Sequence, residues 1–405
     1  MRTDGAPGPL LRLTVVGAAA ASASVVLSAA LELGRAHWGA ALVALPLLVA
    51  VLVAALVAYP RLVRPSAAAV LAMLLAIATG GLVAWSGSDW SLAVHVAAGG
   101  CALAASLVVL AVSFRGEPLP FGPWRDYVTL TKPRIMSLLL LTGAAGMFVG
   151  AGGWPGAPEL ATMLLGLALA CGGASALNHV LDRDIDKLMG ERTASRPVAS
   201  GRVPAPRALE FGLVLSALSF ALLASTVNVL TAVLALVGNL FYVVVYTGYL
   251  KRSTDQNIVI GGAAGAVPPL VGYAAATGEL GLPALWLFLI VFLWTPPHFW
   301  ALALMLKEHY RAANVPMLPG TRGDAETTRQ IQLYSVVLVA FTLVVGLWLG
   351  ALYTVAAALL GGYLVFLAHR LRVDASRRNA VVLFHYSLGY LALLFVAAAL
   401  DPVLL

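Results

Sequence analysis

Asn178, Asp182 and Asp186 stand four residues apart in the stretch NHVLDRDIDKLMGERTASRP, residues 178–197. At about 100° per residue, two such steps drift only about 80° around a helix. The spacing therefore predicts one helical face carrying three oxygen-bearing side chains over about 12 Å. Asp184 falls on another side. Only 11% of the chain is charged, so this concentration of acids and bases is unusual in it. A solvated loop whose charges neutralise one another accounts for Lys187 and Glu191. It does not account for an Asn and two Asp in register at the end of an apolar run. Hard oxygen donors in a row, followed by Arg192 and Arg196, fit Mg²⁺ together with a phosphate-bearing substrate.

The elements that must hold this stretch are membrane helices. The chain has 405 residues, 61% of them hydrophobic, and a mean hydropathy of +0.92. A soluble domain keeps far more charge on its surface. Apolar runs of spanning length fall at 11–31, 39–59, 66–86 and 91–114. Nine more fall at 135–153, 160–181, 208–226, 229–249, 258–277, 283–305, 331–350, 351–369 and 380–400. The pairs 208–226 with 229–249 and 331–350 with 351–369 are the tightest. With the N-terminus in the cytoplasm and strict alternation, every Lys and Arg except Arg35 falls on the cytoplasmic side. That bias is the positive-inside rule, and it explains the net charge of +7 without a nucleic-acid partner. The basic, small-residue start of the first run is read as a spanning helix rather than a cleaved signal, because further spans follow directly. Cys101 and Cys171 lie within apolar runs and predict neither a disulfide nor a CxxC metal site.

A Pro- and Gly-containing linker near 115–126, RGEPLPFGPWRD, divides the chain into residues 1–120 and 121–405. The expected fold class is an all-α polytopic membrane protein: a nine-helix bundle preceded by about four extra transmembrane helices. The first part is rich in Ala, Leu and Val. Its histidines are His37, in an outside loop, and His95, early in the fourth run. A membrane histidine can ligate haem, but it is more often a packed residue.

The polar clusters of the second part all fall on the cytoplasmic side. Tyr246–Pro269 opens with Lys251 and Arg252, which act either as snorkelling anchors or as phosphate ligands. It continues through Asn257 into a helix carrying Gly261, Gly262, Gly265, Pro268 and Pro269. Small residues there allow close helix approach, and prolines within a span predict a broken helix lining a cavity. Trp294–Pro319 places His298 mid-span, behind two prolines, where a histidine is a functional candidate. Glu308, His309 and Tyr310 mark the exit of the same helix and could form a second polar rim across the cavity. Lys132 and Arg134 flank Pro133 ahead of a span, as phosphate ligands or topology anchors.

Over residues 124–400 the chain resembles the UbiA superfamily of intramembrane prenyltransferases, whose signature NxxxDxxxD is Asn178, Asp182 and Asp186 here. Within that superfamily the stretches TKPR, NHVLDRDID with RTASRP, LKRST with NIVIGGAAGAVPP, WTPPHFWALAL, and VPMLP with TRQIQLY are similar to the branch that farnesylates protohaem IX. The resemblance implies a reaction of farnesyl diphosphate with haem b and water to give haem O and diphosphate, as a step toward the haem A of cytochrome oxidase. It implies Asn178, Asp182 and Asp186 as catalytic residues, with Mg²⁺ on Asp182 and Asp186. It implies Lys132, Arg134, Arg192, Arg196, Lys251 and Arg252 on the diphosphate, and His298 on the haem or the cavity wall. In this branch an Asp-Tyr pair is usual where Lys307-Glu308-His309-Tyr310 stands. His309 thus takes the aspartate's place, and Glu308 is the adjacent acid that could serve the metal. The expected location is the bacterial inner membrane, multi-pass, with the active-site loops cytoplasmic. Residues 88–115, SDWSLAVHVAAGGCALAASLVVLAVSFR, faintly resemble the last helix of a haem A synthase half, which implies that enzyme as a partner beside the lipid bilayer. Two alternatives stay open: a related prenyltransferase acting on a quinone precursor or another tetrapyrrole, and a non-catalytic haem transporter.

Overall fold

The computed structural model describes residues 7–30, 34–86, 89–113 and 121–404. Arg2, Arg115 and the 120/121 junction lie outside the described residues, as do the side chains of Arg35 and His37.

The described chain is all helical. The elements are α1 (Pro9–Ala30), α2 (Gly34–Ala58), α3 (Pro60–Ser86), α4 (Asp89–Ser113), α5 (Trp124–Leu130), α6 (Pro133–Ala151), α7 (Ala157–Leu181), α8 (Arg183–Leu188), α9 (Glu191–Ala194), α10 (Ala205–Thr226) and α11 (Val229–Leu240). After a π-helical segment, Phe241–Leu250, come α12 (Lys251–Ser253), α13 (Asn257–Thr277), α14 (Leu282–Met305), α15 (Lys307–Ala312), α16 (Leu318–Thr321), α17 (Gly323–Val345), α18 (Ala351–Val373) and α19 (Arg377–Leu404). Among the described residues, 12 helices are long and apolar enough to cross a membrane, and α2 adds the shorter apolar stretch Val43–Leu56. The two tight pairs are separate spans, Ala205–Thr226 with Val229–Ser253 and Gly323–Val345 with Ala351–Val373. Large apolar side chains such as Leu71, Leu285 and Leu359 remain exposed on helix faces, as they do in a chain whose solvent is lipid. The protein is a multi-pass membrane protein.

Contacts group the chain into two compact units. The first comprises residues 1–132, 168–180 and 201–233, and the second comprises 133–167, 181–200 and 234–405. In the first, α1 to α4 pack each on the next and α4 returns to α1. Buried Ser22 and Ser106 join α1 to α4 through their hydroxyls at 3.1 Å. α4 also packs on α10, where Gly100 meets Ala221. His95 sits over Gly80, with its Nδ1 3.2 Å from the Thr79 hydroxyl.

In the second unit, α6, α13, α14 and α19 pack in a ring, and α17 and α18 extend it from α14 and α19. The closest approach joins α6 to α13. A Cβ at Gly272 would meet the Gly143 carbonyl, and one at Gly146 would meet the Pro269 carbonyl. The missing side chains let backbone approach backbone, which is how small residues tighten membrane helices. Pro268 and Pro269 do not break α13, contrary to the expectation from sequence. The helix is continuous from Asn257 to Thr277, because packing against α6 surrounds the turn where amide donors are missing. Gly272→Ala is expected to cost about 1–3 kcal/mol, the usual range for forcing extra volume into a packed contact. Detergent melting of the purified variant checks this.

Candidate active site

Asp182 interrupts the helix that the sequence pattern runs through it. α7 ends at Leu181, Asp182 has φ −87° and ψ 2°, and α8 begins at Arg183. The break is mild, since the Asp186 amide still donates to the Asp182 carbonyl at 2.8 Å. Asn178 therefore lies in the last turn of α7 and Asp186 in a separate short helix. This corrects the single continuous stripe. Arg252 caps the broken end by donating to the Leu181 carbonyl at 2.7 Å, which satisfies one of the carbonyls a helix end leaves open.

Asp182 and Asp186 are each 1% exposed, and each meets one cation. Lys251 Nζ donates to Asp182 Oδ2 at 2.6 Å, and Arg196 Nη1 donates to Asp186 Oδ1 at 2.6 Å. Burial raises the Asp186 pKa, and Arg196 works against that rise. Asp184 faces the rim instead. Arg252 grips both its oxygens at 2.7 Å and holds its pKa well below the usual carboxylate range. Four of the six predicted cations therefore stand on the polar residues of the signature stretch. The fourth, Lys132, donates from Nζ to Asn178 Oδ1 at 2.7 Å.

Lys132 reaches Asn178 from a strained backbone. Its φ is 50°, a left-handed conformation that ordinary residues avoid and that functional sites retain. Pro133 opens α6 directly after it, so the turn is fixed on both sides. Arg134 and Arg192 are exposed. Glu308 also points outward, 77% exposed on its side chain and paired with Arg311 at 3.1 Å. It is not brought to the aspartates. The ring of its neighbour His309 lies against Gly190, whose φ of 94° lets the α8–α9 turn pass beneath it.

Sequence reasoning gave no role to Tyr246 and placed Tyr310 only on a rim. Tyr310 lies in the field of Arg196 and Asp182, and burial pushes its phenol up to about 12. A phenol that stays protonated thus stands near the acidic centre. The π-helical segment Phe241–Leu250 positions Tyr246 and ends at Lys251. Its wider turn lets the Thr247 hydroxyl donate to the Tyr242 carbonyl, 2.9 Å away and five residues back. Tyr242 and Tyr246 stack at 5.5 Å, and Gly261 gives the Tyr246 ring its place. Such segments recur at functional sites, but no residue spacing in FYVVVYTGYL announces one.

His298 is buried in α14, away from these charges along the chain. Its ring stacks between Trp294 at 4.3 Å and Phe384 at 4.6 Å, and Nδ1 lies 2.7 Å from the Ser387 hydroxyl.

The donor set suits a divalent cation. Asp186 Oδ2 is buried without a hydrogen-bond partner, an open hard-oxygen donor beside a second buried carboxylate. Among the described residues no three His, Cys, Asp or Glu side chains cluster as a complete metal cage.

Comparison with known proteins places the chain. Residues 139–389 match the model of the UbiA prenyltransferase family. A Roseiflexus castenholzii protein named protoheme IX farnesyltransferase is 50% identical over 279 residues, 68% of this chain and 52% of that protein. A Deinococcus radiodurans protein of the same name is 46% identical over 303 residues, 71% of this chain and 96% of that protein. The chain thus spans about half the length of the first relative and nearly all of the second. A UbiA homologue from Archaeoglobus fulgidus, solved with DMAPP and Mg²⁺, superposes with a TM-score of 0.56 at 18% identity. That match covers 69% of this chain and 99% of that one. With the family model matched across more than half the chain and the signature Asn178, Asp182 and Asp186 inside it, the chain belongs to the UbiA prenyltransferase family.

Proposed function

We propose that the protein transfers the farnesyl group of farnesyl diphosphate to a vinyl group of protohaem IX (haem b), giving haem O. The observation that carries the proposal is the buried Asp182–Asp186 pair, each carboxylate held by one cation and Asp186 Oδ2 left open. The names of the relatives support farnesyl and protohaem as donor and acceptor. In this reading Asp182 and Asp186 would hold Mg²⁺, oriented by Asn178. When bound, the ion neutralises the charge that builds on the departing diphosphate.

The chain's own residues supply the rest. Lys251 and Arg196, which donate to the two carboxylates, would also supply positive charge to the diphosphate oxygens. Lys132, Arg134, Arg192 and Arg252 add positive charge for the same group. The Tyr310 phenol, which burial keeps protonated, would offer a hydrogen-bond donor to the same group. Apolar helices take the isoprenoid tail and keep water from the allylic cation until a vinyl group attacks it. Water then completes the hydroxyethyl product. His298 faces the tetrapyrrole.

The reading also assigns residues 121–405 to catalysis and residues 1–120 to an extension at which haem A synthase could dock. It sets the acidic centre on the cytoplasmic side of the bacterial inner membrane. The test is a competition among acceptors. Purified protein with farnesyl diphosphate and Mg²⁺ is offered protohaem, a quinone precursor and a chlorophyll-like ring together. Consumption of protohaem alone, stopped by a chelator and restored by Mg²⁺, is expected. Consumption of either other acceptor in its place overturns the assignment.

A further inference from the structure

Ser387 lies on α19, 1% exposed, and makes two contacts through one hydroxyl. Its Oγ is 2.8 Å from the Phe384 carbonyl and 2.7 Å from His298 Nδ1. A carbonyl only accepts, and a serine hydroxyl has a single proton to give. Two oxygens at that distance with no proton between them would repel, so the hydroxyl proton belongs to the Phe384 contact. The Ser387 lone pair must then receive its proton from Nδ1–H. Only this assignment satisfies both contacts, and it fixes the tautomer. The proton is on Nδ1, and Nε2 carries the lone pair.

The ring is fixed in direction as well. Trp294 stacks on one face with planes 16° apart, and Phe384 stacks on the other at 19°. Phe299 meets it edge-on at 5.3 Å. Trp294 is itself pinned, because its Nε1 donates to the Ser387 carbonyl at 2.7 Å. One residue of α19 thus holds the imidazole through its side chain and the aromatic wall through its backbone. A histidine that merely filled space would need neither a chosen tautomer nor a clamped plane.

We infer that Ser387 is a positioning residue that locks His298 with Nε2 as a neutral lone-pair donor aimed at the protohaem substrate, where it ligates the iron. This rests on the protohaem reading of the site. Partners that orient a ligating histidine are worth about 10–100-fold in metal affinity.

The experiment is a titration of the purified full chain with ferric protohaem, followed by the Soret band, with the KM for farnesyl diphosphate as a control on folding. Ser387→Ala is expected to weaken protohaem binding by about 10–100-fold and to move the Soret maximum. Ser387→Thr, which keeps the hydroxyl, is expected to bind like the natural chain. His298→Ala should lose the ligand band. The KM for farnesyl diphosphate should not change in any of them. A Ser387→Ala protein with the natural affinity and Soret position overturns the inference, and so does a His298→Ala protein with an unaltered spectrum. A second measurement needs no serine variant. In ¹⁵N spectra of histidine-labelled protein, the signals lost in His298→Gln should report a protonated Nδ1 and a bare Nε2; the reverse pattern overturns the inference. If the natural chain binds no protohaem and prenylates another acceptor, the functional reading falls with it. That result is distinct from protohaem binding that ignores Ser387.

Discussion

Replacing Asp182 with asparagine is expected to slow prenyl transfer on the order of 10³-fold, the scale seen when one preorganised electrostatic contact to a developing charge is removed. The substitution keeps shape and one oxygen while removing the charge. Lys251 can still donate to the amide oxygen across its present 2.6 Å contact, so the protein should insert and melt close to the natural chain. What goes is half of the buried dicarboxylate on which the metal reading stands. The Mg²⁺ concentration for half-maximal rate should rise as the rate falls. Asp186→Asn should behave in the same way, with Arg196 as the retained partner. Single-turnover assays with labelled farnesyl diphosphate across a Mg²⁺ titration check both variants. A natural rate with natural metal dependence would remove Asp182 from the machinery.

Lys251→Met carries the largest expected loss of stability. Asp182 is 1% exposed, and the Lys251 side chain is only 12% exposed. Removing the ammonium leaves a carboxylate out of water without its counter-ion, which typically costs about 3–5 kcal/mol. The double variant Asp182→Asn with Lys251→Met removes both charges, so it should recover most of that loss and remain inactive. The two contributions are then separable: stability follows the pairing of charges, and activity follows their presence. Melting of the single and double variants in one detergent gives the coupling between the two sites. If Lys251→Met melts with the natural chain, the pair has no structural role.

Much of this arrangement was legible in the residues. The spacing of Asn178, Asp182 and Asp186 stood out because oxygen donors at four-residue intervals are unusual at the end of an apolar run. The charge bias separated the tight helix pairs, since each missed span would have inverted the side of every later Lys and Arg. What the sequence did not carry was backbone that departs from a regular helix. The stop at Asp182, the π-helical turns before Lys251 and the left-handed Lys132 are set by neighbours in the folded protein. They have no periodicity of their own. Pro268 and Pro269 misled in the opposite direction, because α13 runs through both without interruption.

Side-chain roles divided in the same manner. Lys132, Arg196, Lys251 and Arg252 were legible as cations near an acidic stretch, but not which acid or amide each would meet. Arg134 and Arg192 have the same sequence credentials and stay exposed. Glu308 was read from its place in the chain, and the end of α14 turns it toward Arg311 instead. Ser387 was invisible as a partner, because its significance is a contact with His298 across 89 residues. That contact leaves no trace in local spacing.

The central claim is tested most directly by the pigments of membranes that contain the chain. Membranes of a host lacking its own haem O, expressing either the natural chain or Asp182→Asn, are extracted and their tetrapyrroles resolved by mass. The account predicts protohaem in which one vinyl has become a hydroxyethylfarnesyl group with the natural chain, and protohaem alone with the variant at equal protein level. Unmodified protohaem in both membranes, or the same product in both, would contradict it.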